Sequence, residues 1–457
     1  MYTQPSRSSS LWFATALLPE GWADRVRITL TNGRIERVES DVDALAADEK
    51  HAIGIPGVGN VHSHAFQRAL AGVTERREGA DNFWSWRERM YSLVAKLTPE
   101  RLEAIAAQAF VEMLESGITC VAEFHYVHHA ENGEPYEDIA EHAHRIVGAA
   151  DTSGIGLTLL PVFYAHGGIG GQEPNASQRR FANSIDSYIQ LFEASSQSVR
   201  TLPFANTGIA AHSLRAVTPE ELETLTRIEH GGPMHIHIAE QIREVEQWQQ
   251  WAGARPVEWL LDHVDVNERW CLVHATHVSS VEVQRMAASG ATVGLCPITE
   301  ANLGDGIFPA SEFVKHEGRF GIGTDSNVSI SIAEELRLLE YGQRLTQRER
   351  NVIHSSWGRS TGRTLLEGAL TGGAQATMRN TGRLASGCVG DIVALRNTHV
   401  SMRDRSEDAL LDSWIFAAAN TVDCVWSGGR KVVAEGIHVE RERVAQNYLV
   451  ALRELRS

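Results

Sequence analysis

Two histidines one residue apart, His62 and His64, are where chemistry first becomes legible in this 457-residue chain. They follow the apolar run Ile55-Pro56-Gly57-Val58-Gly59-Asn60-Val61. In an extended strand residues i and i+2 share a face, so two imidazoles stand side by side, as adjacent metal ligands need. Alone, such a pair is more often two turn histidines than a site, so partners must come from elsewhere. His237 and Glu240 end the stretch Met234-His235-Ile236-His237-Ile238-Ala239-Glu240, His274 follows Cys271-Leu272-Val273, and Asp325 follows Phe320-Gly321-Ile322-Gly323-Thr324. His62, His64, His237 and Asp325 form a nitrogen- and oxygen-rich set suited to one divalent metal, zinc by preference.

The elements that must hold these residues are readable too. From Pro56 to about Tyr341, apolar runs alternate with helix-length segments. The runs centre on Val61, Cys120, Leu157, Ile209, Ile236, Leu272, Val293 and Ile322. Buried strands in such alternation predict a parallel sheet covered on both faces, and eight of them predict a (β/α)8 TIM-type barrel. That fold works at the C-terminal ends of its strands, which is where the histidines, Glu240 and Asp325 fall. The first long helix starts at a Thr98 cap with Pro99 in its first turn, and Gly117 follows its end.

Flanking segments read differently. Val26 to Leu30 followed by Asn32-Gly33 is a hairpin signal, and strand-like runs return at Ile392 to Leu395 and Val422 to Trp426. Residues 1–55 and 381–457 are expected to build a small β-sandwich domain from both chain ends, with the barrel at 56–380. Met1 to Ser10 is expected to be disordered. His235, two residues deeper than His237, reads as a core histidine. His125, His128 and His129 read as solvated loop residues outside any metal sphere. No lysine lies between Lys96 and Lys315, so a lysine carbamate near strand four cannot bridge two metals. One metal is therefore expected, with a bridging carboxylate such as Glu123 left open.

Composition narrows the class. The formal charge of −16 argues against nucleic acid and anionic membranes as partners. No apolar run approaches the roughly 18 residues of a membrane span, and no secretory signal is apparent. Five scattered cysteines without a C-x-x-C spacing suit a reduced, cytoplasmic enzyme.

The longer blocks carry a resemblance. Pro56-Gly57 into His62-x-His64, His237-x-x-Glu240, His274 and Asp325 resemble the amidohydrolase superfamily in its mononuclear deaminase branch. The blocks His62 to Arg68, Phe83 to Glu88, Ala122 to His129, Ala211 to Thr218 and Thr299 to Pro309 resemble the formiminoglutamate deiminase family. The resemblance implies hydrolysis of N-formimino-L-glutamate to N-formyl-L-glutamate and ammonia in histidine degradation. His274 and Asp325 would orient water and accept its proton, and Glu240 would shuttle a proton to the departing nitrogen. A dicarboxylate substrate needs cationic and donor groups away from the metal: Arg87 and Arg215, assisted by Gln67, Tyr126 and His212. Asn327 departs from the histidine expected there and is read as a change in a binding contact. A homodimer is left open. Two alternatives stand at this level: a guanine- or heterocycle-type deaminase of the same superfamily, and a catalytically inactive barrel scaffold.

Overall fold

The computed structural model describes residues 9–77, 81–354, 358–418 and 421–456. Eight parallel strands close into a barrel. In order they are Val58–Ser63, Ile118–His125, Gly156–Phe163, Ile209–Ser213, Met234–Ile238, Trp270–His274, Thr292–Leu295 and Arg319–Ile322. A short stretch, Asn206–Thr207, precedes the fourth, and the eighth returns to the first through Ile322 and Asn60. Every residue of the first three strands is buried, as a sheet packed on both faces requires.

The helix Pro99–Glu115 is built as its sequence dictates. The Thr98 hydroxyl accepts from the Arg101 amide at 3.4 Å, and Gly117 takes φ 95° just past the end. Its Leu102, Ile105, Ala109, Phe110 and Met113 are fully buried against the barrel. A second helix, Thr361–Thr377, packs on barrel strands one and eight. Any Cβ on its Gly372 would collide with the Phe320 carbonyl, so glycine is what permits this close approach.

Strands from both chain ends form a separate sheet of eight. Ser9–Leu18, Gly21–Thr31 and Arg34–Glu39 form an antiparallel meander, turned at Asn32 and Gly33 with φ 51° and 78°. Glu49–Pro56 is the seam: it pairs in parallel with the first strand and antiparallel with Ile392–Leu395 of the C-terminal segment. The seam strand runs on into barrel strand one, so the sheet anchors the first two histidines. Leu11, Phe13, Val26 and Ile28 from one end share a core with Ile392, Cys424 and Trp426 from the other.

Two details differ from expectation. Ser9 and Ser10 already belong to the first strand, and residues 1–8 lie outside the described residues. The C-terminal segment also carries two helices, Asp408–Phe416 and Arg441–Arg456, the latter lying against Pro99–Glu115. Strand-like runs dominate that stretch of sequence and drew attention from them. Among the described residues no helix is long and apolar enough to cross a membrane.

Candidate active site and metal centre

The ends of barrel strands one and five bring three imidazoles together. His62 Nε2 lies 3.1 Å from His64 Nε2 and 3.0 Å from His237 Nε2. The opposite nitrogens are committed: His64 Nδ1 bonds to the Phe124 carbonyl at 2.9 Å and His237 Nδ1 to the His212 carbonyl at 2.9 Å. A carbonyl only accepts, so each Nδ1 carries the proton and each Nε2 turns a lone pair inward. Burial pushes His62 down to about 3 and holds His64 and His237 below their usual range, so all three are neutral. Asp325 closes the group, with Oδ1 3.5 Å from His62 Nε2 and 3.4 Å from His64 Nε2. Burial alone would raise its carboxyl, yet contact with His62 and the positive charge favoured on His274 hold it well below the usual range. Inward lone pairs facing a carboxylate repel one another unless a cation joins them. The nitrogen spacing approaches the roughly 3.3 Å edge that zinc bonds of about 2.0–2.1 Å give a tetrahedron. The donor set therefore fits a divalent metal.

Local hydrogen bonds fix these ligands. The Asn60 carboxamide accepts from the His62 amide at 3.1 Å and donates to Thr324 Oγ1 at 2.7 Å. Asn327 donates to Ser63 Oγ, the His64 carbonyl and the Asp325 carbonyl at 3.0–3.1 Å. It is fully buried and does not line the cavity, so the expected role in a binding contact is replaced by one in bracing strand ends one and eight. The backbone also bends sharply here. Ala239, His274 and Asp325 take φ of 51°, 69° and 45°, a costly conformation for non-glycine residues that clusters at working sites.

His274 stands beside this group and, with His62 and Asp325, makes a second, overlapping set of metal-type donors. Its Nε2 is 3.8 Å from Asp325 Oδ2 and 3.9 Å from Glu240 Oε1, and its Nδ1 is 3.2 Å from Glu300 Oε1. Burial would push this imidazole down, but Glu240, Glu300 and Asp325 overcome it and favour the imidazolium. Burial pushes the Glu240 carboxyl up to about 7, against the opposing charges of His274 and Arg215. A carboxyl poised there can hold or release a proton near neutrality.

A cavity of about 550 Å³ opens above this floor, lined by His64, His237, Glu240, His274 and Asp325. Gln67, Arg87, Tyr126, His212 and Arg215 line the same cavity, while His62 lies beneath its floor. Gln67 Nε2 donates to the Tyr126 hydroxyl at 3.0 Å, and the Gln67 carbonyl oxygen is buried without a partner. Arg215 approaches Glu240 no closer than 3.9 Å. Among the described residues Nε of both Arg87 and Arg215 is buried and unpartnered, an arrangement that costs free energy until an anion arrives.

Sequence reasoning passed over several residues that shape the site. Glu300 braces His274 and accepts from the Cys296 amide at 2.9 Å; it was visible only as part of a long block. Trp84 lies under three guanidiniums, Arg87 at 4.6 Å, Arg243 at 4.7 Å and Arg215 at 5.9 Å from its ring centre. Its neighbours in Phe83-Trp84-Ser85-Trp86 gave the only hint. Glu123 does not join the metal group: its Oε1 accepts from the Ala65 amide at 2.7 Å. His235 is buried, with Nε2 on the Ala376 carbonyl at 2.8 Å, as a core histidine. The reading of His125, His128 and His129 as solvated is corrected, because all three are buried. The loop after strand two folds inward, and each of His128 and His129 finds a backbone carbonyl.

Comparisons with known proteins agree with this geometry. Residues 53–432 match the model of the Amidohydrolase family, and residues 11–52 match the formimidoylglutamate deiminase HutF N-terminal domain. The chain is 48% identical over 451 residues to a formimidoylglutamate deiminase of Pseudomonas aeruginosa, covering 98% of this chain and 99% of that one. A 5-methylthioadenosine/S-adenosylhomocysteine deaminase of Archaeoglobus fulgidus is 27% identical, over 93% of this chain and 91% of that one. A crystal structure of an amidohydrolase from Brucella melitensis superposes with a TM-score of 0.95 at 48% identity, over 98% of this chain and 100% of that one. The closed barrel and the separate sheet from both chain ends thus have their counterpart in a family of metal-dependent hydrolases: the chain belongs to the amidohydrolase family.

Proposed function

We propose that this protein hydrolyses N-formimino-L-glutamate to N-formyl-L-glutamate and ammonia, as the name of its Pseudomonas aeruginosa relative suggests. One observation carries the reading: Arg87 and Arg215, each with a buried Nε that has no partner among the described residues, share a cavity with a cluster of metal-type ligands. A substrate with two carboxylates and a hydrolysable C–N bond satisfies both at once. His62, His64, His237 and Asp325 hold one divalent cation, zinc by donor type. When bound, that cation lowers the pKa of water toward neutrality.

The chain's own residues do the rest. Asp325 and His274 orient the attacking water, and Asp325 receives its proton, since His274 already favours the imidazolium. Glu240, poised near neutrality, carries a proton to the imino nitrogen so that it departs as ammonia. Arg87 and Arg215 bind the carboxylates, and Gln67, Tyr126 and His212 add neutral donors and acceptors. Burial keeps the His212 imidazole neutral. The guanidiniums of Arg87 and Arg243 already stack on Trp84, which disfavours a flat heterocycle as its occupant. Five buried free cysteines suit a reducing cytoplasm. Domain limits are drawn at 55/56 and 380/381.

Ammonia release from N-formimino-L-glutamate and from guanine by the zinc-loaded protein tests the assignment. Turnover of guanine alone would overturn it, and a folded, metal-free, inactive protein would favour the scaffold.

A further inference from the structure

The cavity extends well above the reacting floor, and its outer wall is chemically one-sided. Among the described residues the only carboxylates lining it are Glu240 and Asp325, both at the floor. The helix Ile242–Ala252 contributes Arg243, Gln247, Gln250 and Trp251 to the wall. Their spacing of four, seven and eight places them on one helical face. Glu244 of the same helix is buried behind the wall, where it accepts from the Glu240 amide at 3.1 Å and its charge faces Arg215. The face thus offers a cation, two amides and an indole, with its acid turned away.

Arg243 is exposed and has no ion-pair partner among the described residues. Its guanidinium lies 4.7 Å from the Trp84 ring centre, and that of Arg87 lies 4.6 Å from the same ring. Trp84 belongs to the helix Phe83–Val94, so the indole ties two helices together through their cations across the cavity wall. Stacking on an aromatic face fixes a guanidinium without neutralising it. The placement matters because the chain carries a formal charge of −16, a far field that opposes any dianion.

We infer that Arg243 is a specificity-determining residue: with Arg87 across Trp84, it forms an outer cationic subsite that selects dianionic over monoanionic substrates. This rests on the dicarboxylate reading above. The contribution is a screened Coulomb attraction, so it must fade with salt.

Glutarate binding to the zinc-loaded protein, measured by calorimetry, tests the subsite without requiring turnover. In about 20 mM salt, Arg243→Ala should raise the glutarate Kd about three- to tenfold, and in about 500 mM salt the difference should nearly vanish. Arg243→Lys should retain most of the low-salt affinity, and butyrate should respond less than glutarate to the loss of Arg243. Unchanged glutarate binding in Arg243→Ala at low salt would overturn the inference. A loss of equal size at both salt concentrations would also overturn it, by assigning Arg243 to packing on Trp84. If the glutarate pattern holds while N-formimino-L-glutamate is not turned over, the proposed reaction fails and the subsite stands.

Discussion

Two buried histidine clusters sit close together in this fold and do opposite things. In the first, His62, His64 and His237 direct three Nε2 atoms at one point. In the second, around the loop after strand two, His128 Nε2 bonds to the Val162 carbonyl, His129 Nε2 to the Ala182 carbonyl and His142 Nδ1 to the Val127 carbonyl. Their remaining nitrogens do not converge, and no metal-type group forms there among the described residues. Both clusters are neutral because burial disfavours the imidazolium. Burial and residue type therefore do not distinguish a metal centre from a polar core. What differs is whether the nitrogens left free by backbone carbonyls face one another and a carboxylate.

The sharpest way to break this contrast is to remove the metal. Chelation, or His237→Ala, should lower kcat/KM by at least about a thousandfold, and zinc should restore the chelated protein. Metal content before and after is the measurement, and full activity without metal would sink the assignment of the first cluster. Glu240→Gln should come next, cutting kcat by about 10²–10⁴ while the bound metal stays in place. Metal loss in that variant would move Glu240 from proton transfer to metal retention. Arg215→Ala should act mainly on binding, raising KM about 30- to 100-fold through loss of charge-assisted bonds. Wild-type kinetics would remove Arg215 from the site.

The second cluster should show the smallest effect, and on stability instead of turnover. His128 and His142 are held near 3 and 4, below the ordinary 6.5, so the unfolded chain takes up protons that the native state refuses. Stability is then full above pH 6.5 and falls below it, by about 1.4 kcal/mol per pH unit for each histidine, until the native values are reached. His128→Gln should keep the metal, cost about 1–2 kcal/mol at pH 7.5 and lessen the acid slope. Urea unfolding between pH 7.5 and 5 checks this, and an undiminished slope would place the acid sensitivity elsewhere.

Much of the site was legible in the sequence because barrel architecture converts a strand end into a location. His62, His64, His237, His274 and Asp325 each end an apolar run, and once eight such runs are counted they share one face. Gln67, Arg87, Tyr126, His212 and Arg215 came from blocks resembling a family, and all line one cavity. Residues that act through a partner far away in sequence were harder. Glu300 reaches His274 across 26 positions, and Asn327 reaches Ser63 across 264. Neither spacing leaves a periodic trace.

The sequence by itself determined the barrel, the positions of its strand-end ligands and the association of both chain ends in one sheet, because hydrophobic periodicity and turn residues act locally. Only the tertiary structure decided which nitrogen of each histidine is free, which buried histidines stay mere core, and that Arg87, Arg215 and Arg243 gather around one indole. Those outcomes depend on which carbonyl, carboxylate or ring lies within about 3–6 Å after folding, and a linear pattern does not encode that proximity.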